Sequence, residues 1–119
     1  MKENVVKNKS FAFALRIVKM YQFLCEQKKE FVLSKQLLRS GTAVGALVRE
    51  AEQAESPADF IHKMAIALKE ANETEYWIEL LFQSNFIDKT AYNSIKTDLT
   101  EILKLLISII KTKKQNTKK

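Results

Sequence analysis

The stretch that decides the fold runs from Gln36 to Trp77 and reads QLLRSGTAVGALVREAEQAESPADFIHKMAIALKEANETEYW. It contains the chain's only proline and both of its glycines. Pro57 follows Ser56, so Ser56 is predicted to cap a helix that begins with the proline. Gly41 and Gly45 lie four residues apart in a helical pattern, where they would let a neighbouring helix come close. The stretch therefore predicts two helices, the first of them closely packed.

Length and composition restrict the class of protein. A chain of 119 residues is long enough for one domain with its own core, and two glycines are too few for an all-β fold with many turns. The apolar piece at 11–15 ends at Arg16, so we expect no signal peptide. No apolar run approaches the roughly 18 residues of a membrane span. Cys25 is a lone cysteine, and we expect a cytoplasmic protein with no disulfide and no membrane partner.

Capping residues predict where four helices begin. The four candidates are Ser10, Ser34, Ser56 and Asp88. The predicted helices cover about 11–28, 35–54, 57–84 and 89–112, and a basic tail spans 111–119. Connections of a few residues make successive helices antiparallel neighbours. We therefore expect an all-α protein whose single domain, 1–119, is an up-down-up-down four-helix bundle.

Apolar residues at helical spacing predict the faces that meet in the core. The fourth helix has a heptad seam made of Tyr92, Ile95, Leu99, Ile102, Leu106 and Ile109. The second helix has a stripe of small residues around Gly41, and the third has a stripe that contains Glu75. A buried glutamate needs a partner. Glu75 is therefore expected either to pair with Arg39 or Arg49, or to reach water from the edge of its stripe.

The first and fourth helices carry more apolar surface than one bundle needs. At about 100° per residue, their apolar side chains cover arcs of roughly 220° and about 200°, whereas a bundle helix needs a stripe a little over about 100° wide. Phe11 and Phe13 belong to the first arc. The surplus predicts contact with a second subunit, and hence a homo-oligomer.

The net charge of +6 comes from the two ends of the chain, because residues 11–110 have 12 basic and 13 acidic side chains. The tail at 111–119 has five lysines and no acid: Lys111, Lys113, Lys114, Lys118 and Lys119. A second basic group lies on the first two helices: Arg16, Lys19, Lys28, Lys29, Lys35 and Arg39. Both groups suit contact with nucleic-acid phosphates. The alternatives are solvated faces, a frayed tail that aids solubility, or head-to-tail contacts between subunits.

Candidate chemistry is scarce in this sequence. Helix bundles that hold two iron ions need two Glu-x-x-His pairs, but this chain has one histidine, His62, and the acid three residues before it is Asp59. Asp59 is better explained as a first-turn acid that the helix dipole favours. Cys25 falls in the apolar arc of the first helix, where a free cysteine is usually buried and inert. We expect no catalytic site, no metal and no cofactor.

The order of residues across 36–77 resembles a known bacterial family. The matching residues are Gln36-Leu37-Leu38-Arg39-Ser40, Gly45-Ala46, Glu50-Ala51, Ser56, Asp59-Phe60, Ala67-Leu68-Lys69-Glu70 and Glu73-Thr74-Glu75-Tyr76-Trp77. The family comprises four-helix-bundle proteins encoded in intervening sequences of 23S ribosomal RNA genes. The chain also resembles the accessory variability protein of diversity-generating retroelements. Leu47 departs from the family pattern, which usually has Asn there, so the resemblance assigns no polar role to this position.

The resemblance implies an antiparallel four-helix bundle that assembles as a homopentameric barrel without enzyme activity. In the retroelement relatives it implies a basic scaffold that binds nucleic acid and a reverse transcriptase, and for the ribosomal relatives it implies RNA binding. We therefore predict a scaffold that binds nucleic acid, with RNA as the expected ligand; the alternative is an oligomer that binds only proteins. The residues predicted to be structural or to form interfaces are Arg39, Gly41, Gly45, Glu75, Trp77, Phe11 and Phe13.

Overall fold

Four long helices joined by short connections make up the fold. The computed structural model describes residues 1–117, and Lys118 and Lys119 of the predicted tail lie outside the described residues. The helices are α1 (Lys2–Gln27), α2 (Leu33–Ala51), α3 (Pro57–Gln83) and α4 (Lys89–Thr117), with no strand within 1–117. The bundle is elongated, with extents of 52 × 22 × 19 Å. No helix in this part of the chain combines the length and the apolar character needed to cross a bilayer.

Contacts between the helices fix their directions. Lys2 Nζ lies 2.5 Å from Ser108 Oγ, and Arg16 Nη1 lies 2.5 Å from Asp98 Oδ2, so residue numbers fall along α4 as they rise along α1. The pairs α1–α2, α2–α3 and α3–α4 are related in the same way. Each helix packs against two neighbours. The predicted antiparallel up-down-up-down bundle is confirmed.

The core contains the apolar stripes expected from the sequence. On α4, five of the six seam residues are buried and only Tyr92 is partly exposed. On α2 the buried apolar residues are Leu37, Val44, Val48 and Ala51, and Gly41 is buried with them. On α3 the side chain that completes the stripe is Thr74, not Glu75. The Thr74 hydroxyl lies 2.9 Å from Ser40 Oγ and 2.8 Å from the carbonyl oxygen of Glu70. This buried polar group therefore has hydrogen-bond partners.

Two of the four predicted helix starts are present as expected. The amide of Asp59 donates a hydrogen bond of 3.0 Å to Ser56 Oγ, with Pro57 as the first residue of α3. The carboxylate of Asp59 accepts in turn from the amide of Glu55 at 3.2 Å, which closes a reciprocal capping arrangement. Before α4, the amide of Ala91 donates to Asp88 Oδ1 at 2.8 Å. Both contacts satisfy amides that have no partner within the helix.

The other two predicted caps, Ser10 and Ser34, are wrong. Helix α1 begins at Lys2, so Ser10 is a fully buried interior residue whose hydroxyl donates to the carbonyl of Lys7 at 3.2 Å. A serine inside a helix can satisfy its hydroxyl in this way. Ser34 lies in the first turn of α2, where Glu30 acts as the cap. Its carboxylate accepts from the amides of Val32, Leu33 and Ser34 at 3.1, 3.0 and 2.7 Å.

Helices α1 and α3 both end in a left-handed residue that is not glycine. Lys29 has φ 54° and Asn85 has φ 66°. The amide of Glu30 donates to the carbonyl of Leu24 at 3.0 Å, and the amide of Phe86 donates to that of Leu81 at 2.9 Å. The Phe86 hydrogen bond is the six-to-one bond of a Schellman end, whereas the Glu30 hydrogen bond spans one residue more. Both satisfy a carbonyl in the last turn of a helix.

Both glycines allow α1 and α2 to pack closely. A Cβ on Gly41 would lie 2.8 Å from Cγ1 and 2.9 Å from Cγ2 of Ile17, which is fully buried. A Cβ on Gly45 would lie 3.2 Å from the carbonyl oxygen of Ser10. The predicted role of the two glycines in close packing is therefore visible in the geometry within one subunit.

The predicted lengths of α2 and α4 differ from those observed. Helix α2 ends at Ala51, three residues before the expected end, because Glu52 to Ala54 form the tight turn that leads to Ser56. Helix α4 continues to Thr117, five residues past the expected end. The described part of the basic tail is thus helical, and its lysines have fixed directions.

Candidate nucleic-acid interface

The tail lysines and the lysines next to the α1–α2 connection lie at opposite ends of the bundle, whereas Arg16 of the second basic group is in the middle of α1. The hydrogen bond between Lys2 and Ser108 places the start of α1 beside the end of α4. The 26 residues of α1 then span about 39 Å before Lys28 is reached. The lysines near the α1–α2 connection are therefore far from the tail lysines of the same subunit. The structure does not bring the two groups together into one site.

Several members of the α1–α2 group have partners within the subunit. Arg16 donates to Asp98 and, at 2.7 Å, to Ser94 Oγ. The ammonium of Lys28 lies 6.0 Å from the ring centroid of Phe23, and Lys29 is the left-handed residue that ends α1. Lys19, Lys29 and Lys35 are exposed, and Arg39 pairs with glutamates of α3. The two arginines of this group are thus paired within the subunit, whereas its four lysines are exposed.

The described tail lysines do not share one direction. Lys111 and Lys114 are exposed on α4. Lys113 instead turns back onto the bundle, where its ammonium lies 4.8 Å from the ring centroid of Phe60. There it lines a cavity of about 540 Å³ at the end of the bundle, together with Glu3 and Glu55. The ammonium of Lys113 is therefore directed into this cavity, whereas Lys111 and Lys114 face solvent.

The carboxylates of α4 point towards α1, whereas most of its lysines do not. Asp98 contacts Arg16 at 2.5 Å and Glu101 contacts Lys9 at 3.0 Å. From Ile102 to Thr117 the helix has four lysines and no acidic residue. The ion pairs among residues 1–117 include none from Lys104, Lys111 or Lys114. From Ile102 onward, the exposed side of α4 is consequently basic and free of carboxylates, whereas Glu101 lines a surface groove together with Thr97, Thr100 and Lys104.

This side of α4 has a regular spacing of its own. Polar and basic residues recur every three or four positions and face away from the seam, with one interruption at Ile107: Asn93, Thr97, Thr100, Lys104, Lys111 and Lys114. We call these six residues the α4 outer stripe. Sequence reasoning did not single out Lys104 as a candidate binding residue. The signal was its spacing, because Lys104 precedes Lys111 by seven residues, or two helical turns.

Arg39 joins α2 to α3 through two glutamates. It donates to Glu70 Oε1 at 3.2 Å and to the carboxylate of Glu73, which also accepts from the indole N–H of Trp77 at 2.9 Å. The Trp77 and Arg39 hydrogen bonds lower the pKa of Glu73 below its usual value. Tyr76 packs edge-to-face on Trp77, with ring centroids 5.0 Å apart. Arg39 and Trp77 therefore link α2 and α3 within the subunit.

The partner predicted for Glu75 is wrong. Glu75 is half-buried at the edge of α3 and contacts Lys96 of α4 at 3.6 Å. Arg39 pairs with Glu70 and Glu73 because these residues, and not Glu75, project towards α2. Arg49, the other candidate partner, lies over the ring of Phe11 at 4.8 Å. The other expectation, that Glu75 reaches water from the edge of its stripe, fits its partial exposure.

Apolar side chains are exposed on the outer face of α1 and in the middle of α4. Phe11, Leu15 and Ile107 have relative exposures of 48%, 52% and 54%. Phe13, by contrast, is only 1% exposed and belongs to the core of the subunit. Of the two phenylalanines predicted from the apolar arc, Phe11 alone is therefore available to another subunit.

Residues 1–117 contain no group of three or more His, Cys, Asp or Glu side chains arranged to hold a metal ion.

The sequence matches, over residues 2–108, the family described as 23S rRNA-intervening sequence protein. This chain belongs to that family. Among proteins of curated function, none matches the sequence.

A solved structure that is similar to this chain extends the comparison. It is a Bacteroides thetaiotaomicron protein of unknown function from the S23 ribosomal protein family, determined at 1.70 Å resolution. It is similar to this chain at 66% sequence identity, with a TM-score of 0.92 over 93% of this chain and 99% of that one. The shared fold therefore covers almost the whole length of both proteins.

Proposed function

We propose that this protein is a non-enzymatic, cytoplasmic homo-oligomer that binds nucleic acid, with RNA as its ligand, through electrostatic contacts to phosphates. The observation that carries the proposal is the acid-free end of α4, where four lysines occur between Ile102 and Thr117 on an ordered helix. Lysines on a rigid element attract a polyanion without reading its sequence. Two cellular settings fit this activity: association with ribosomal RNA, or service as the accessory protein of a reverse transcriptase.

Exposed apolar side chains support the oligomeric part of the proposal. Phe11 and Leu15 lie on the same face of α1, are about half exposed, and are unsuited to a face that meets only water. We propose that this face contacts a second copy, and that the assembly is the pentamer implied by the family resemblance. Several α4 ends in one ring would then act together on one nucleic acid, and their combined affinity would exceed that of a single helix.

The experiment that tests the oligomer is light scattering on the full chain and on two variants. Leu15→Glu places a charge on the exposed apolar face, and we expect it to reduce the mass to that of the monomer. Asn72→Glu adds the same charge at an exposed position of α3 and serves as the control. A wild-type chain that is monomeric would contradict the oligomeric part of the proposal.

The experiment that tests nucleic-acid binding is fluorescence anisotropy with labelled RNA and DNA at low and high salt. Because α4 is helical to Thr117, substitution by glutamine is preferable to removal of the tail. We expect the Lys111→Gln, Lys113→Gln, Lys114→Gln variant to bind more weakly than the wild-type chain, and the wild-type affinity to fall steeply with salt. Absence of binding at low salt would refute the proposal.

A protein-interaction oligomer without a nucleic-acid role is the alternative function. The observation in its favour is a groove of about 480 Å³ between α1 and α4, lined by Met20, Phe23 and Ala91 and flanked by Lys19. Phe23 is 41% exposed, and exposed aromatic residues are frequent anchors of protein interfaces. If addition of the wild-type protein leaves the anisotropy of the labelled RNA and DNA unchanged at low salt, this alternative is favoured.

A further inference from the structure

The α4 outer stripe has a composition that selects among nucleic acids. Its three lysines, Lys104, Lys111 and Lys114, can contact phosphates as point charges. The other members, Asn93, Thr97 and Thr100, carry groups that donate and accept hydrogen bonds, as the ribose 2′-hydroxyl does. Thr97 already donates to the carbonyl of Asn93 at 2.8 Å, so its hydroxyl oxygen is left to accept.

The stripe lacks what single-stranded recognition requires. Proteins that bind unpaired bases stack them on exposed aromatic rings. The aromatic residue of α4 is Tyr92, and its ring is stacked on Phe82 with centroids 4.1 Å apart, at the α3–α4 contact. The one apolar residue exposed along the stripe is Ile107, an aliphatic side chain suited to contact with a sugar and not to base stacking.

The stripe is also straight, long and rigid. From Asn93 to Lys114 the helix rises by about 32 Å. The opposite face of α4 is anchored by the buried seam, so these side chains keep a fixed spacing. A rigid stripe of this length matches a rigid ligand better than a flexible strand. Base-paired RNA presents a wide, shallow minor groove with phosphates and 2′-hydroxyls at its surface, which such a helix can reach.

We propose that the α4 outer stripe binds the phosphates and 2′-hydroxyls of base-paired RNA, and that it is the principal RNA-binding surface of each subunit. This inference rests on the proposed function and specifies its ligand class and its surface. The lysines of the α1–α2 connection, at the other end of the bundle, make at most a minor contribution.

Matched variants test the surface. The first is Lys104→Gln, Lys111→Gln, Lys114→Gln, and the control is Lys28→Gln, Lys29→Gln, Lys35→Gln, which removes the same charge at the opposite end. All six residues are exposed, so circular dichroism and light scattering should match the wild-type chain. The ligand is a labelled RNA duplex of about 20 base pairs, longer than the roughly 16 that one compact RNA-binding domain spans.

The slope of log affinity against log salt concentration is the decisive quantity. Each lysine that contacts a phosphate contributes about one to this slope, so the first variant should lose about three and bind at least about tenfold more weakly at low salt. The control should keep nearly the whole slope. If the control loses the slope and the first variant keeps it, the assignment to α4 is wrong, although the proposed function stands. If the wild-type chain binds no nucleic acid, the proposed function itself fails.

The ligand class is tested with the wild-type chain and with Thr97→Val, Thr100→Val. We expect the RNA duplex to bind more tightly than a DNA duplex of the same sequence and more tightly than single-stranded RNA. The valine variant should reduce the preference for RNA over DNA while the salt slope stays the same. Equal binding of all three nucleic acids, or a preference for the single strand, would overturn the assignment to base-paired RNA.

Discussion

Gly41 offers a direct test of how closely α1 and α2 pack. In the interior of an ordinary helix, replacement of Gly by Ala stabilises by about 1 kcal/mol, because alanine has the higher helix propensity. Here the new Cβ would lie 2.8 and 2.9 Å from two carbons of Ile17, closer than van der Waals contact allows. Ile17 is fully buried, and because protein cores are closely packed, a shift of its side chain displaces its neighbours. Overpacking of this kind costs about 1–3 kcal/mol, so we expect Gly41→Ala to destabilise by about 1 kcal/mol net.

The cause can be isolated by removal of the Ile17 side chain. In an Ile17→Ala background the carbons that clash are absent, so Gly41→Ala should stabilise by about 1 kcal/mol, the propensity effect alone. The sign of the effect therefore reverses, and the coupling between the two positions is about 2 kcal/mol. Ala46→Gly, at an exposed position of α2, measures the propensity effect in the same helix.

The assay is urea unfolding followed by circular dichroism at one fixed protein concentration, since the stability of an oligomer depends on concentration. An effect of Gly41→Ala that is the same in both backgrounds, within about 0.5 kcal/mol, would refute the packing argument.

Three further predictions concern helix ends and one buried hydroxyl. Glu30→Ala should destabilise by about 1–2 kcal/mol through loss of the α2 cap, whereas Glu26→Ala, at an exposed position of α1, should change stability by less than about 0.5 kcal/mol in urea unfolding. Burial opposes the charge of Glu30, but its three backbone hydrogen bonds outweigh this and hold the pKa of the carboxylate below its usual value. The contribution of the Glu30 carboxylate to the free energy of unfolding is therefore complete above about pH 4.3 and is lost as the pH falls through the lower folded-state pKa. This pH-dependent contribution should be absent in Glu30→Ala. Lys29→Gly relieves a left-handed residue and should raise stability by about 1 kcal/mol; a loss of stability would contradict the left-handed conformation of residue 29. Thr74→Val leaves the buried Ser40 hydroxyl without its partner and should cost about 1–3 kcal/mol in thermal or urea unfolding, so a neutral result would count against the buried hydrogen bond.

The bundle could be predicted where a local signal acts alone. Pro57 after Ser56 determines one helix start almost by itself, and the heptad seam of α4 determines its buried face. Ser10 and Ser34 were misread because serine satisfies its hydroxyl equally well at a cap or against a carbonyl within a helix. Ser10 lies inside α1 at a close contact with α2, where a Cβ on Gly45 would lie 3.2 Å from the Ser10 carbonyl oxygen. No pattern within α1 contains that information.

The candidate site was less accessible to sequence reasoning. Net charge located the tail lysines, but the directions of Lys111, Lys113 and Lys114 depend on how far α4 continues as a helix. Lys113 turns back to Phe60, a contact between residues 53 positions apart that composition cannot reveal. The separation of the tail from the α1–α2 lysines, by contrast, follows from the predicted antiparallel topology, because the end of α4 must lie beside the start of α1.

The most direct test of RNA binding is the salt dependence of wild-type affinity for two RNA duplexes of unrelated sequence, measured by anisotropy between about 50 mM and about 200 mM salt. Phosphate contact through the α4 outer stripe predicts similar affinities for both duplexes, and log–log slopes of about −3 or steeper. A slope near zero, or tight binding of one sequence and not of the other, would contradict electrostatic binding by this surface.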